Sequence, residues 1–207
     1  MKKFLALSLI ALPLLSQAAT NLVQNGSFEA NVLTAGGPPL ITNTLSGWTV
    51  GTPGIEIRNN TVGKAYDGSN FIELDVVANS SISQQLSTTA GQWYQLSFAY
   101  SNRTGVPVDS NGLGWTFGTL SGSAPALAYN NTGDNVWSHY TVNFKATGTS
   151  TLLSFVGQGT SDGLGTSLDA VSVTAVPEPQ TFALFGIGLL GMGLISLQRK
   201  RGADTQR

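Results

Sequence analysis

The acids with the clearest chemical potential stand at opposite ends of the core: Glu29, in Asn25-Gly26-Ser27-Phe28-Glu29, and Asp169, in Leu168-Asp169-Ala170-Val171-Ser172-Val173. In an extended segment alternate residues face the same way, so Ser27 and Glu29 can aim a carbonyl and a carboxylate at one point, while Asp169 arrives at the start of the last strand. All-oxygen donors of this kind suit a hard cation. The chain has no cysteine, so no disulfide can join its ends and a cation clip would serve in its place. The other use for the same two acids is to cap strands or to pair with Arg58 or Lys145.

A second group of residues could hold a ligand by stacking. Sugars lay their apolar C–H faces on exposed Trp or Tyr rings while amides, carboxylates and guanidiniums bond the hydroxyls. Trp115 follows a long Gly-rich stretch and has Asn111 nearby, and Tyr129 lies in a second such stretch. Trp115, Tyr129 and Asn111 are therefore the expected ligand-binding residues. Trp48 and Trp137 sit at strand starts and are expected in the core. Catalysis finds little support. The single histidine, His139, has Ser138 and Tyr140 as neighbours and forms no nucleophile pair. A metalloprotease helix motif, a phosphate loop and a thiol are all lacking. Glu56, Glu73 and Asp75 could supply a glycosidase pair, which needs two acids roughly 5–9 Å apart. Two acids spaced by two on one strand more often mark a solvated face, so the expectation is a domain that is not an enzyme and has no catalytic residue.

These side chains must be positioned by strands, because nothing between residues 21 and 176 sustains a helical apolar period. Ile55 and Ile57 alternate with Glu56 and Arg58, and Ile72, Leu74 and Val76 with Phe71, Glu73 and Asp75. Tyr94, Leu96, Phe98 and Tyr100 share one face of 93–100, as Tyr140, Val142 and Phe144 do in 137–146. Further strands are expected at 21–29, 46–50, 80–86, 151–156, 168–173 and, more weakly, 115–120. Short alternating runs between Gly, Ser, Thr and Asn turns predict an all-β fold, an antiparallel jelly-roll β-sandwich over 19–176. Residues 102–114 and 121–135 are polar, Gly-rich loops, where a rigid scaffold carries specificity.

The two ends read as sorting signals. Lys2 and Lys3 precede the apolar stretch from Phe4 to Leu15, and Ser16-Gln17-Ala18 supplies the small residues a signal peptidase reads, so 1–18 is expected to be a signal peptide. At the other end Pro177-Glu178-Pro179 is followed by an apolar run over 181–197 and the basic cluster Arg199-Lys200-Arg201. At 1.5 Å per helical residue this run reaches about 25 Å, slightly short of the roughly 30 Å hydrocarbon core. The basic cluster would stay on the cytoplasmic side, which leaves everything before Pro177 outside. The formal net charge of −1 hides an acidic core, in which Arg58, Lys64, Arg103 and Lys145 face nine carboxylates. So few cations in the core exclude nucleic acid as a partner, since phosphate neutralisation needs clustered Lys and Arg.

The C-terminal pattern resembles the PEP-CTERM family of exported bacterial proteins. That resemblance implies sorting by Pro177, Glu178, Pro179, Arg199, Lys200 and Arg201, and recognition by an exosortase membrane enzyme. The expected course is export across the inner membrane, tethering by a transmembrane helix over 181–197, then an envelope or extracellular location. The core resembles the calcium-containing jelly rolls of the galactose-binding-like and carbohydrate-binding-module group, which pair an Asn-Gly-x-Phe-Glu opening with a terminal Leu-Asp-x-Val-x-Val strand. Carried over, this implies a structural Ca2+ held by Glu29, Asp169 and the Ser27 carbonyl, with a further oxygen from Lys64 to Gly68. The PEP-CTERM resemblance also implies binding of exopolysaccharide; the alternative is a structural protein of the biofilm matrix with no specific sugar ligand.

Overall fold

The computed structural model describes residues 20–177. The expected signal peptide over 1–18 and the tail from Glu178 onward, with its apolar run and basic cluster, lie outside the described residues. Among the described residues no helix is long and apolar enough to cross a membrane.

Among the described residues, eleven strands form two antiparallel sheets. They are β1 (Leu40–Thr42), β2 (Thr49–Val50), β3 (Ile55–Asn59), β4 (Asn70–Glu73), β5 (Ser81–Ser87), β6 (Trp93–Ser101), β7 (Leu113–Phe117), β8 (Leu120–Ser123), β9 (Ser138–Lys145), β10 (Ser150–Gly157) and β11 (Ser167–Ala175). One sheet runs β1-β3-β4-β11-β6-β9 and the other β2-β5-β10-β7-β8. The expected all-β antiparallel sandwich is the fold observed.

Alternation explains what lies between the sheets. Tyr94, Leu96, Phe98 and Tyr100 of β6 are buried, as are Leu153 and Phe155 of β10 and Leu113, Trp115 and Phe117 of β7. Rings from the two sheets meet edge-on at Phe98 and Phe155, 5.0 Å apart, and tilted at Phe117 and Phe144, 4.8 Å apart. Such pairs add about 0.5–1.5 kcal/mol to the burial of their area, so they lock the two sheets together.

One expectation from alternation fails because of coverage from outside. Glu73 and Asp75 do not form a solvated face; they are 0% and 1% exposed. Phe71 and Arg58, on the same outer side of β4 and β3, are also fully buried. Loop 60–69 and the segment around Gly163 and Gly165 lie over this side of the six-stranded sheet, as bonds from Tyr66 to Asp169 and from Gly165 to Glu73 show.

The opening segment is also not the strand that its apolar residues suggested. Residues 24–30 turn, with Asn25 and Phe28 at positive φ (52° and 61°). The segment reaches the last strand through single bonds, Leu22 N–H to the Val173 carbonyl at 2.8 Å and Val171 N–H to the Gly26 carbonyl at 2.9 Å. There β11 bulges, its register slipping between Asp169 and Ser172 with Ala170 at φ 49°. A Cβ on Gly26 would lie 2.0 Å from the Val171 carbonyl oxygen. Gly26→Ala must push the opening turn off β11, and about 1–3 kcal/mol of stability should be lost. Urea unfolding should show this as a lower midpoint at unchanged slope.

Candidate functional site

Two features lie side by side, an acidic clip and an aromatic groove, and loop 60–69 between β3 and β4 touches both. Asn60 N–H bonds the Ser69 carbonyl at 3.1 Å and closes the loop at its base.

The clip brings together residues far apart in sequence. Asp169 Oδ2 accepts the N–H groups of Tyr66 (2.8 Å) and Asp67 (3.0 Å), and its Oδ1 accepts that of Ala170 (2.6 Å). Glu29 Oε1 accepts the N–H groups of Ser69 (2.8 Å) and Asn70 (2.6 Å). The Ser27 hydroxyl donates to Asp67 Oδ2 at 2.6 Å. Ser27, Glu29 and Asp169 thus all meet one loop, Ser27 through its hydroxyl rather than the expected carbonyl, and Asp67 joins them. Gly68 sits at φ +68°, where a Cβ would lie 2.6 Å from Glu29 Oε1. Only a residue without a side chain lets this carboxylate approach so closely.

Electrostatically the clip is one-sided. Asp169 is fully buried. Burial pushes its pKa up to about 7 and the Asp67 carboxylate adds to the rise, against the lowering effect of the backbone N–H groups. The ion pairs among the described residues involve Arg58, Arg103, Glu56 and Glu73 alone. Neither Arg58 nor Lys145 therefore neutralises Glu29 or Asp169. Toward a hard cation the clip offers carboxylate oxygens with no Lys or Arg partner, but Asp169 Oδ1 and Oδ2 and Glu29 Oε1 already accept backbone N–H groups. No group of three or more His, Cys, Asp or Glu side chains placed to hold a metal occurs among the described residues. A cation here would therefore need backbone carbonyl or hydroxyl oxygens besides Glu29 and Asp169.

The groove, about 310 Å³, is lined by Asn102, Leu127, Tyr129, Asn130, Val136 and Trp137 among others. Tyr129 is 56% exposed, and Trp137 is half-buried. Amides hold the walls: Asn102 Nδ2 donates to the Leu127 and Ala128 carbonyls, and Asn130 Nδ2 to those of Asn102 and Asp134. Behind Trp137, the exposed ring of Tyr66 stands 6.1 Å away and Phe71 5.9 Å away, both edge-on. Trp137 Nε1 donates to the Lys64 carbonyl at 3.0 Å. Trp137, expected in the core, instead shares a groove wall with Tyr129. Its position just before β9 could not reveal this, because the loop that leaves its face open comes from residues 127–136.

Trp115 and Asn111 are not part of this groove. Trp115 is 6% exposed on the inner face of β7, its ring 5.6 Å from Tyr140, with Gly122 of β8 laid against it. It alternates in phase with Leu113 and Phe117, so it belongs to the core and offers no stacking face. Asn111 is a loop brace: its Oδ1 accepts Arg103 N–H and its Nδ2 donates to the Pro107 carbonyl, both at 2.9 Å. A second hollow, about 440 Å³, opens by β2 and β5 and is lined by Gln24, Trp48, Thr49, Ser83 and Gln85 among others. Its aromatic ring, Trp48, is buried and donates Nε1 to the Asn25 carbonyl. That hollow offers hydrogen bonds without an exposed ring.

Of the three acids that could supply a glycosidase pair, Glu56 and Glu73 form an ion-pair cluster with Arg58 and Arg103, and Asp75 accepts the Asp162 N–H. Glu56 and Glu73 are cross-strand partners. Arg58 Nη2 pairs with Glu56 and lies 2.8 Å from Glu73, and Arg103 Nη1 lies 3.1 Å from Glu73. Burial pushes the Glu73 pKa up to about 7, the two guanidiniums pulling it down and Glu56 pushing it up.

Comparison with known proteins agrees with this architecture. The chain is similar in structure to TmCBM61, solved in complex with β-1,4-galactotriose, with 15% identity and a TM-score of 0.53 over 76% of this chain and 100% of that one. It is likewise similar to a family 16 carbohydrate-binding module, with 12% identity and a TM-score of 0.50 over 74% and 99% of the two chains. A similarity to the arabinose-bound α-L-arabinofuranosidase MgGH51, with 10% identity and a TM-score of 0.51, covers 75% of this chain and 26% of that one. At such identities these likenesses establish the fold alone. No curated protein matches the chain. Residues 175–200 match the PEP-CTERM protein-sorting motif. Residues 21–174 match the family described as protein of unknown function DUF642, and the chain belongs to that family.

Proposed function

We propose that this is an exported polysaccharide-binding protein, delivered by its PEP-CTERM tail, whose sandwich holds glycan in the groove between Tyr129 and Trp137. The observation that carries the reading is an exposed Tyr ring and a half-buried Trp ring in one hollow, with amides in its walls. The rings would supply the stacking surface and the Thr132 and Ser138 hydroxyls of the same groove the polar contacts, since the Asn102 and Asn130 amides are buried and bonded to backbone carbonyls. The match over 175–200 supports export to the envelope. Processing by an exosortase, tethering through 181–197 and eventual release belong to this proposal. So does a structural Ca2+ at Glu29 and Asp169, which would hold loop 60–69 against the opening turn and β11.

Affinity electrophoresis of the chain through gels cast with bacterial exopolysaccharides, with β-1,4-galactotriose as a soluble competitor, tests the groove. Tyr129→Ala and Trp137→Ala should each weaken retention by about tenfold or more, as loss of one stacked ring costs about 1–3 kcal/mol in comparable aromatic stacking on a flat partner. Trp115→Phe should leave retention unchanged, since that ring faces inward. If no polysaccharide retards the chain, a structural role in the matrix is the better reading.

A further inference from the structure

We infer that the end of the sandwich where the chain leaves for its tail docks, through Trp93 and Lys145, on the headgroups of the membrane that the tail enters, so that the groove is held facing away from it. The inference rests on the tether through 181–197 proposed above; it does not depend on what the groove binds.

Three segments are bonded together at the exit. Val176 N–H donates to the Trp93 carbonyl at 2.8 Å, and Gln92 Nε2 to the Val176 carbonyl at 2.8 Å. Gly91 N–H donates to the Ala146 carbonyl at 2.7 Å, and Ala146 N–H to that of Gln92 at 2.9 Å. Trp93 and Lys145 are direct partners across β6 and β9, so their side chains share one face beside the exit. Trp93 is 41% exposed, whereas Trp48 and Trp115 are buried and Trp137 half-buried. Leu120, also exposed, comes to the same end, because Gly118 of the β7–β8 turn lies against the ring of Phe144, the neighbour of Lys145.

Chain length and charge name the partner. Val176 and Thr181 are five residues apart, which is at most about 17 Å of extended chain. The headgroup layer takes up roughly 5–7 Å of that reach, so with 181–197 in the bilayer the exit stands within about 10 Å of the headgroup surface. None of the nine core carboxylates occurs in 86–98, 117–123, 141–153 or 170–176, the stretches that build this end, and Lys145 is the one charge in them. The acid nearest in sequence is Glu178, on the tail itself. The core acids lie instead at the clip, in the Arg58 cluster and around Asp75 and Asp162. An indole settles at the boundary of water and lipid, and a lysine beside it draws anionic headgroups. The groove lies at the far end of the same two strands, since Asn102 follows the last residue of β6 and Trp137 precedes the first of β9. At about 3.3 Å per residue it stands roughly 25–30 Å further from the membrane.

The chain from Ala19 onward, which keeps 181–197 as its long apolar run, is reconstituted in vesicles of phosphatidylethanolamine and anionic phosphatidylglycerol, with and without a lipid spin-labelled at its headgroup. Flotation with the vesicles reads the tether, and tryptophan emission reads the docking. The expected result is a chain that floats and shows a blue-shifted emission component quenched by the spin label, lost in Trp93→Phe and kept in Trp137→Phe. Lys145→Gln should shift the balance between docked and undocked forms about fivefold toward undocked, a difference that should vanish in vesicles of zwitterionic phosphatidylcholine alone. A chain that floats while Trp93 stays unquenched overturns the docking and leaves the tether standing, as does quenching that Lys145→Gln does not change. A blue shift of Trp93 without quenching, growing with the number of chains per vesicle, also overturns it and assigns this end to a second copy. A chain that does not float overturns the tether and the docking with it.

Discussion

Replacing Arg58 with methionine should cost about 3–5 kcal/mol, the usual penalty for removing one partner of a buried ion pair. Arg58 is fully buried between Glu56 and a Glu73 that is itself fully buried. Its removal leaves Glu73 with only the partly exposed Arg103 and the Gly165 N–H. At about 2–4 °C per kcal/mol for a domain of this size, the midpoint should fall by roughly 6–20 °C. The double replacement Arg58→Met, Glu73→Leu should recover much of the loss, because an apolar pair of similar volume removes both desolvation penalties. A single variant that melts within about 2 °C of the parent would show that the cluster is not a structural element.

The same cluster predicts a pH dependence of definite sign. Glu73 titrates near 7 in the folded chain, against an ordinary value of 4.5. The folded state therefore holds this proton where the unfolded state has released it. Stability contributed by Glu73 is full below about pH 4.5 and is lost as pH rises to about 7, by roughly 3 kcal/mol if the shift is complete. Glu73→Gln should remove this share of the slope, read as the difference between parent and variant midpoints from pH 4 to 8.

Stripping divalent cations should have the second large effect. A ligand that binds only the folded state at about a thousandfold above its dissociation constant adds about 4 kcal/mol. EDTA should therefore lower the midpoint by roughly 8–16 °C. Glu29→Gln and Asp169→Asn should each lower it in calcium and blunt the response to EDTA. Asp169→Asn also disturbs the acceptor that receives Tyr66, Asp67 and Ala170 N–H groups. The response to EDTA, rather than the absolute midpoint, is thus the informative quantity. A parent midpoint that ignores EDTA would remove calcium from the account.

How much of this was readable in advance depended on the range of the interaction. Alternating runs such as Tyr94-Leu96-Phe98-Tyr100 and Tyr140-Val142-Phe144 identified β6 and β9, because facing a core is a local property with period two. Ser27, Glu29 and Asp169 were legible as oxygen donors at the two ends of the domain, and the fold does bring them to one loop. Their partner Asp67 was not, since nothing in Asp67-Gly68-Ser69-Asn70 distinguishes a turn over a carboxylate from any other turn. Trp115 was misplaced because its phase with Leu113 and Phe117 spans too few residues to outweigh the Gly-rich loop before it.

The amino-acid order by itself determined the antiparallel sandwich, the sorting motif at its end and the types of group available for binding. Those are consequences of composition, of alternation along single strands and of contiguous motifs, which need no knowledge of distant neighbours. Only the tertiary structure decided which rings stay in contact with solvent and which acids lose it. Coverage by loops made Glu73 and Asp75 interior and left Trp137 beside Tyr129, because burial is set by whatever the rest of the chain lays over a face.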